Sequence, residues 1–166
     1  SFWVLAFFVA LASGCDRAPS VDTAGSTTDS LLAERVDVAS HVGQSFEAFV
    51  ASPGMDRFSL DKLDLAAGEK SRLTQAMAVS KPSRLIRGGG AAALVFTGCA
   101  QAGCDAGAAV IAIGGEGETF VGVRDAAGAS EFIPDDRMEA LLRLNSPTRR
   151  WDDPEGAEPP TAPQTP

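Results

Sequence analysis

The segment SRLIRGGGAAALVFTGCAQAGCDAGAAVIAIGGEGETFVGV, residues 83–123, decides the fold, because short apolar runs alternate there with glycine-rich turns. Runs of this length that are rich in β-branched and aromatic residues predict β-strands. The two runs around Gly88-Gly89-Gly90 predict a β-hairpin with a glycine turn. Strands are also predicted at Ala108–Ile113 and Thr119–Arg124, with an edge strand at Ser130–Ile133. Short connections between successive strands predict an antiparallel meander.

Helical periodicity is found on both sides of the predicted strands. Upstream, apolar residues recur at helical spacing, with a break near Gly43 and a short helix predicted over Ser45–Ala51. The periodic residues are Leu31, Leu32, Val36, Phe46, Phe49 and Val50. A further helix is predicted over Gly68–Met77.

Downstream of the strands, Asp135 is the predicted N-cap of a last helix, DDRMEALLRL. Its apolar stripe comprises Met138, Leu141, Leu142 and Leu144. Helices, then an antiparallel meander, then a helix predict the α+β class. We expect one domain, residues 31–150.

The N-terminal residues are typical of an export signal. The run Phe2–Leu11 is apolar and too short to span a bilayer, which needs about 20 apolar residues, but it suits the core of a signal peptide. The sequence Leu11-Ala12-Ser13-Gly14-Cys15 resembles a bacterial lipobox. The resemblance implies a signal peptide at residues 1–14 and a lipid anchor at Cys15. The alternative is an ordinary signal peptide, or a buried helix, with an incidental cysteine.

The segments flanking the predicted domain are polar and rich in proline or small residues. Residues 15–30 are interpreted as a lipidated tether, and residues 151–166 as a disordered, acidic, proline-rich tail. Asp16 resembles the inner-membrane retention signal of enteric bacteria. We therefore expect a periplasm-facing, lipid-anchored protein of the bacterial cell envelope, attached to the inner membrane.

The charge distribution argues against a nucleic-acid partner. The net charge is −8, but most of it lies in the terminal segments, and residues 41–150 carry about −1. A nucleic-acid-binding domain should present a basic face.

Cys99 and Cys104 bracket a turn between two predicted strands. In an exported protein, two cysteines this close are expected to form a disulfide. A zinc site would need two more ligands, and His41 is the only histidine of the chain. A redox pair usually has two intervening residues at a helix N-terminus, rather than four between strands. A structural disulfide is the preferred interpretation, and no metal site is predicted.

The segment Pro82–Gly122 resembles the Ivy family, the periplasmic inhibitors of vertebrate lysozyme. The resemblance rests on a strand, a glycine turn and a strand, then Cys-x4-Cys, a strand reading AAVIAI and a strand ending FVGV. It extends more weakly to residues 41–145, through FEAFVAS and EALLRL. It implies an antiparallel sheet of about five strands with helices packed on it, and a homodimer.

The same resemblance implies that Ala100, Gln101, Ala102 and Gly103 form a partner-binding loop. In the lysozyme-inhibiting members this loop carries a histidine, at the position of Ala102, together with charged residues. Here only Gln101 and backbone amides can make polar contacts. The loop would therefore bind a cleft mainly through its steric fit.

Three functions follow as hypotheses. The first is inhibition of a lysozyme or related peptidoglycan-cleaving enzyme through residues 99–104. The second is a structural or adaptor lipoprotein that keeps the fold but lacks the inhibitory histidine. The third is a thiol-disulfide enzyme. We expect a binding protein without a cofactor rather than an enzyme, because the glycines are not followed by a phosphate-binding helix motif and no nucleophile–base set is evident.

Overall fold

The computed structural model of the protein describes residues 35–153. In that range the chain forms one antiparallel sheet of six strands. The strands are β1 Val79–Ser80, β2 Arg84–Gly88, β3 Ala91–Ala100, β4 Gly103–Gly114, β5 Thr119–Asp125 and β6 Gly128–Ile133. From β2 to β6 each strand pairs with the next one along the chain, which confirms the predicted meander.

Strands β1 and β2 pair with the same edge of β3. Val79 of β1 lies opposite Cys99, and Arg84 of β2 lies opposite Val95. The two short strands therefore follow one another along β3, and Pro82, which has no N–H to donate, lies between them. About five strands were predicted from the sequence, and the additional one is the two-residue β1.

Three α-helices flank the sheet within the described residues: α1 Phe46–Val50, α2 Ala67–Ala76 and α3 Asp136–Leu144, with a 3₁₀ turn at Asp56–Phe58. Asp135 is the N-cap of α3, as predicted, because its Oδ1 accepts a hydrogen bond of 2.8 Å from the Met138 N–H. Ser45 caps α1 in the same way through Ala48. The chain has an α+β fold.

The predicted helical periodicity upstream of Gly43 is wrong for the residues that the structure describes. Residues 35–37 have no helical structure, and residues 38–43 form turns. The Val36 N–H instead donates to the Gly115 carbonyl at 2.9 Å, and its side chain is buried in the core. Leu31 and Leu32 lie outside the described residues.

The sheet is covered on both faces. The first core lies between the sheet and the segment that runs from Val36 through α2; it includes Phe46, Phe49, Phe58, Leu73, Leu94, Phe96, Ile111, Ile113, Val121 and Val123. The second core lies on the other face, under α3; it includes Ile86, Val95, Val110, Phe120, Met138, Leu141, Leu142 and Trp151. The strands between these cores are buried on both sides, so their apolar runs are nearly continuous.

The folded domain extends beyond the predicted boundary at residue 150. Trp151 is 5% exposed and packs edge-on against Phe120, with ring centroids 5.4 Å apart. The segment that carries it, Ser146–Asp153, is here called the C-terminal strap. Ser146 Oγ donates to the Asp153 carbonyl at 2.6 Å and closes the strap on itself. Assigning residues 151–153 to a disordered tail was therefore wrong, because Trp151 belongs to the second core.

Several predictions fall on residues outside the described range. They are the signal peptide, the lipid anchor at Cys15, the tether of residues 15–30 and residues 154–166 of the tail. Within residues 35–153, no helix is long and apolar enough to cross a membrane.

Gly122 of β5 leaves the space that the Trp151 ring occupies. A Cβ at this position would lie 2.7 Å from Trp151 Cη2 and 3.0 Å from Phe120 Cε1. We expect Gly122→Ala to lower the free energy of unfolding by about 1–3 kcal/mol, because the ring must move out of the second core. Urea denaturation measures this change.

Gly68→Ala is the matched control for this substitution. Gly68 lies in α2, and a Cβ there meets nothing within 4 Å. Alanine should leave the stability unchanged or raise it by up to about 1 kcal/mol. Equal effects of the two substitutions would contradict the packing of Trp151 on Gly122.

Candidate functional site

The turn between β3 and β4 is here called the hairpin tip, residues Cys99–Cys104. Ala100 pairs with Gly103, so Gln101 and Ala102 form a two-residue turn. Gly103 has a φ of 109°, a conformation that favours glycine. The side chains of Gln101 and Ala102 are exposed.

The pairing register between β3 and β4 changes at the base of the hairpin tip. Cys99 pairs with Ala108, whereas the next residue, Ala100, pairs with Gly103. The intervening residues of β4 therefore have no partner on β3. The ladder pairing of β4 with β5 begins only at Gly107, so residues 104–106 have no ladder partner on either side.

A disulfide between Cys99 and Cys104 closes this register shift, with the two Cα atoms 4.5 Å apart. It joins the last regular pair of the ladder to the first unpaired residue of β4. This confirms the predicted pairing and removes both thiols from nucleophilic chemistry. The cross-link limits the conformations of the hairpin tip before any partner binds, which lowers the entropy cost of association.

The hairpin tip carries little chemistry of its own. Gln101 provides a side-chain amide, and Asp105 is the nearest exposed charge in the sequence. The remaining polar groups are backbone N–H and C=O groups. Such a surface can form hydrogen bonds and fit a narrow cleft, but it has no group for acid–base or nucleophilic catalysis.

His41 has structural contacts. Its Nδ1 lies 3.1 Å from Gln44 Oε1, and its ring packs edge-on against Phe49, with centroids 5.0 Å apart. Within residues 35–153, no three His, Cys, Asp or Glu side chains are placed to hold a metal ion together.

A cavity of about 150 Å³ lies beside the hairpin tip and was not predicted from the sequence. It is here called the disulfide pocket. It lies on the face of the sheet that Trp151 covers; its lining includes Thr97, Cys99, Ala108, Arg124, Trp151 and Asp152. It could not be predicted because the strap that forms one wall was assigned to the disordered tail.

Asp152 is the buried charge of this region, at 6% exposure. Its carboxylate accepts hydrogen bonds from Arg150 Nε at 2.9 Å and from Arg150 Nη2 at 2.6 Å. Arg124 Nε lies 3.8 Å from Asp152 Oδ2. Burial acts to raise the pKa of Asp152, but the hydrogen bonds and charge of Arg150, with the charge of Arg124, outweigh it. The pKa therefore lies below its ordinary value, and the strap is held to β5 by an ionised carboxylate.

No protein-family model, curated protein or solved structure matches this chain.

We expect Asp152→Asn to lower the free energy of unfolding at pH 7 by about 1–3 kcal/mol, because both arginines lose their counter-charge. A folded-state pKa below the unfolded one, about 3.9, means that the carboxylate stabilises the fold above that pH. This contribution is lost as the pH falls through the folded-state value. The difference between variant and wild type should therefore shrink as the pH falls below about 4.

Urea denaturation at a series of pH values measures this dependence. Asp64→Asn, at an exposed position, is the matched control and should change the stability by no more than about 0.5 kcal/mol. A difference for Asp152→Asn that stays constant with pH would contradict the role of the ionised carboxylate.

Proposed function

We propose that this protein is a binding protein of the bacterial cell envelope that inhibits a lysozyme or a related peptidoglycan-cleaving enzyme through its hairpin tip. The observation that carries the proposal is the short turn at the end of β3 and β4, which a disulfide cross-links where the pairing register changes. A rigid turn of this kind is suited to entering the cleft of a partner.

The sheet holds the hairpin tip in a fixed conformation. The tip continues β3 and β4, whose central residues are buried on both faces. A turn held by such a scaffold loses little conformational entropy on binding, so more of the contact energy appears as affinity. The methyl side chains of Ala100 and Ala102, together with the lack of a side chain at Gly103, keep the tip narrow.

The resemblance to the Ivy family supports the same partner class. The matching features are the cysteine spacing and the order of strands around it. Because Ala102 stands where the inhibitory histidine is found, contact with the enzyme's catalytic carboxylates would come from Gln101 and backbone N–H groups. The proposed mode of inhibition is therefore steric occlusion of the cleft.

The proposed location follows from the lipobox-like sequence before Cys15. An acylated Cys15 would tether the domain to the inner membrane, facing the periplasm, where peptidoglycan-cleaving enzymes act. Several acyl chains on one cysteine give a stable anchor, whereas a single chain gives only reversible attachment.

A structural or adaptor lipoprotein is the second candidate. The observation that favours it is the absence of a histidine and of charged side chains from residues 100–103. An adaptor would bind no lysozyme, and replacing the hairpin tip would leave its function intact.

We expect the oxidised protein to inhibit c-type lysozyme with a Kd of about 1 μM or below. Ala102→Trp should weaken inhibition at least about tenfold. A cleft that the alanine-containing turn fills has no space for the larger indole ring. Ala48→Trp, at an exposed position of α1, is the matched control and should inhibit as the wild type does. Inhibition assays together with surface-immobilised binding measure both effects.

The double variant Cys99→Ala/Cys104→Ala tests whether the disulfide contributes to inhibition, because it removes the cross-link and leaves the residues of the turn unchanged. It should stay folded, because closing so short a loop contributes only about 2 kcal/mol. Its affinity should nevertheless fall. Absence of binding by the wild type at micromolar concentration would rule out lysozyme as the partner, and unchanged inhibition by Ala102→Trp would exclude the hairpin tip as the contact.

A further inference from the structure

The disulfide pocket exists because the second face of the sheet carries small side chains near the hairpin tip. Thr97, Cys99 and Ala108 lie on this face, continuing the alternation of Val95 and Val110. The Trp151 ring lies over Gly122 and forms one wall. A depression of about 150 Å³ remains, which is large enough for a molecule of the size of benzene.

Arg124 supplies a cationic group to the pocket whose N–H donors are only partly used. Among the residues that the structure describes, its buried Nε has no hydrogen-bond partner. Its Nη2 donates one long hydrogen bond of 3.4 Å to the Cys104 carbonyl. The 3.8 Å separation from Asp152 exceeds a hydrogen bond. A guanidinium has five N–H donors arranged to bind a planar carboxylate, and Arg124 uses one of them in a hydrogen bond while its charge is shared with Asp152.

The acidic groups of the pocket limit how much negative charge a ligand can carry. The Asp152 carboxylate is already neutralised by two hydrogen bonds from Arg150. Asp153, which also lines the pocket, accepts one hydrogen bond from Thr148 Oγ1 at 3.0 Å. Lys81 adds a second cation to the lining. This balance favours a ligand with one negative charge, because a dianion such as phosphate would be repelled by Asp153.

We propose that the disulfide pocket binds a monocarboxylate on a small alkyl group. The carboxylate would pair with the Arg124 guanidinium, and the alkyl group would cover Cys99, Ala108 and Val110. The end of a peptide that terminates in a small residue, or a free short-chain acid, has this chemistry. The proposal does not rest on the inhibition of a lysozyme, because the pocket lies on the sheet behind the hairpin tip.

Butyrate is the probe that tests the assignment, and butyramide is its uncharged counterpart. Titration of the oxidised full chain, followed by amide chemical shifts, should give saturable binding with a Kd of about 1–10 mM for butyrate. The shifts should centre on Thr97, Ala108 and Arg124. Butyramide should bind at least about tenfold more weakly, because it cannot form the ion pair.

Two variants locate the binding, and a third is the control. Arg124→Gln should weaken butyrate binding at least about tenfold. Ala108→Leu should weaken it similarly while every charge is retained, because the larger side chain fills the depression. Arg137→Gln removes an exposed arginine that pairs with Glu118 outside the pocket, and should leave binding unchanged.

The proposal is overturned if butyrate causes no saturable shifts in the wild type, or if butyramide binds as tightly as butyrate. Tighter binding of inorganic phosphate than of butyrate would overturn the assignment to a monocarboxylate. Failure of butyrate binding in a protein that still inhibits lysozyme would leave the proposed function intact. Binding of butyrate to a protein that does not inhibit lysozyme would support the pocket alone.

Discussion

The pairing of β3 with β4 is the constraint on which the rest of the structure depends. The register runs without interruption from Ala93 opposite Gly114 to Cys99 opposite Ala108. Since side chains alternate between the faces of a strand, a slip of one residue would exchange the two cores. The positions of α2, α3 and Trp151 therefore all follow from this one register.

The same register determines the geometry of the candidate site. Regular pairing ends at Cys99, and the disulfide is formed at that point. The hairpin tip is thus a continuation of the most buried part of the sheet rather than a loop attached to its surface. The disulfide pocket has the same origin, because its floor is the end of the face that Val95 and Val110 begin.

Features that depend on neighbouring residues could be predicted from the sequence. The glycine turn after β2, the N-cap at Asp135 and the proximity of Cys99 to Cys104 all follow from residue types and short spacings. Val36 was misassigned to a helix because its actual partner, the Gly115 carbonyl, lies far along the chain. Trp151 was placed in the tail for the same reason, since the space it fills is created by Gly122. The four residues of β4 that have no partner on β3, at the base of the hairpin tip, result from a change of register, which no local pattern indicates.

The order of the strands also has a consequence for how the chain folds. Because β2 to β6 each pair with their neighbour in sequence, most sheet contacts require the closure of only a short loop. The contacts of Val36 with Gly115 and of Trp151 with Phe120 join the ends of the domain to a sheet whose own contacts are local. A chain of this kind has a low contact order for a sheet protein and is expected to fold quickly. The disulfide closes within one hairpin, so oxidation can follow the assembly of the sheet without any rearrangement of the strands.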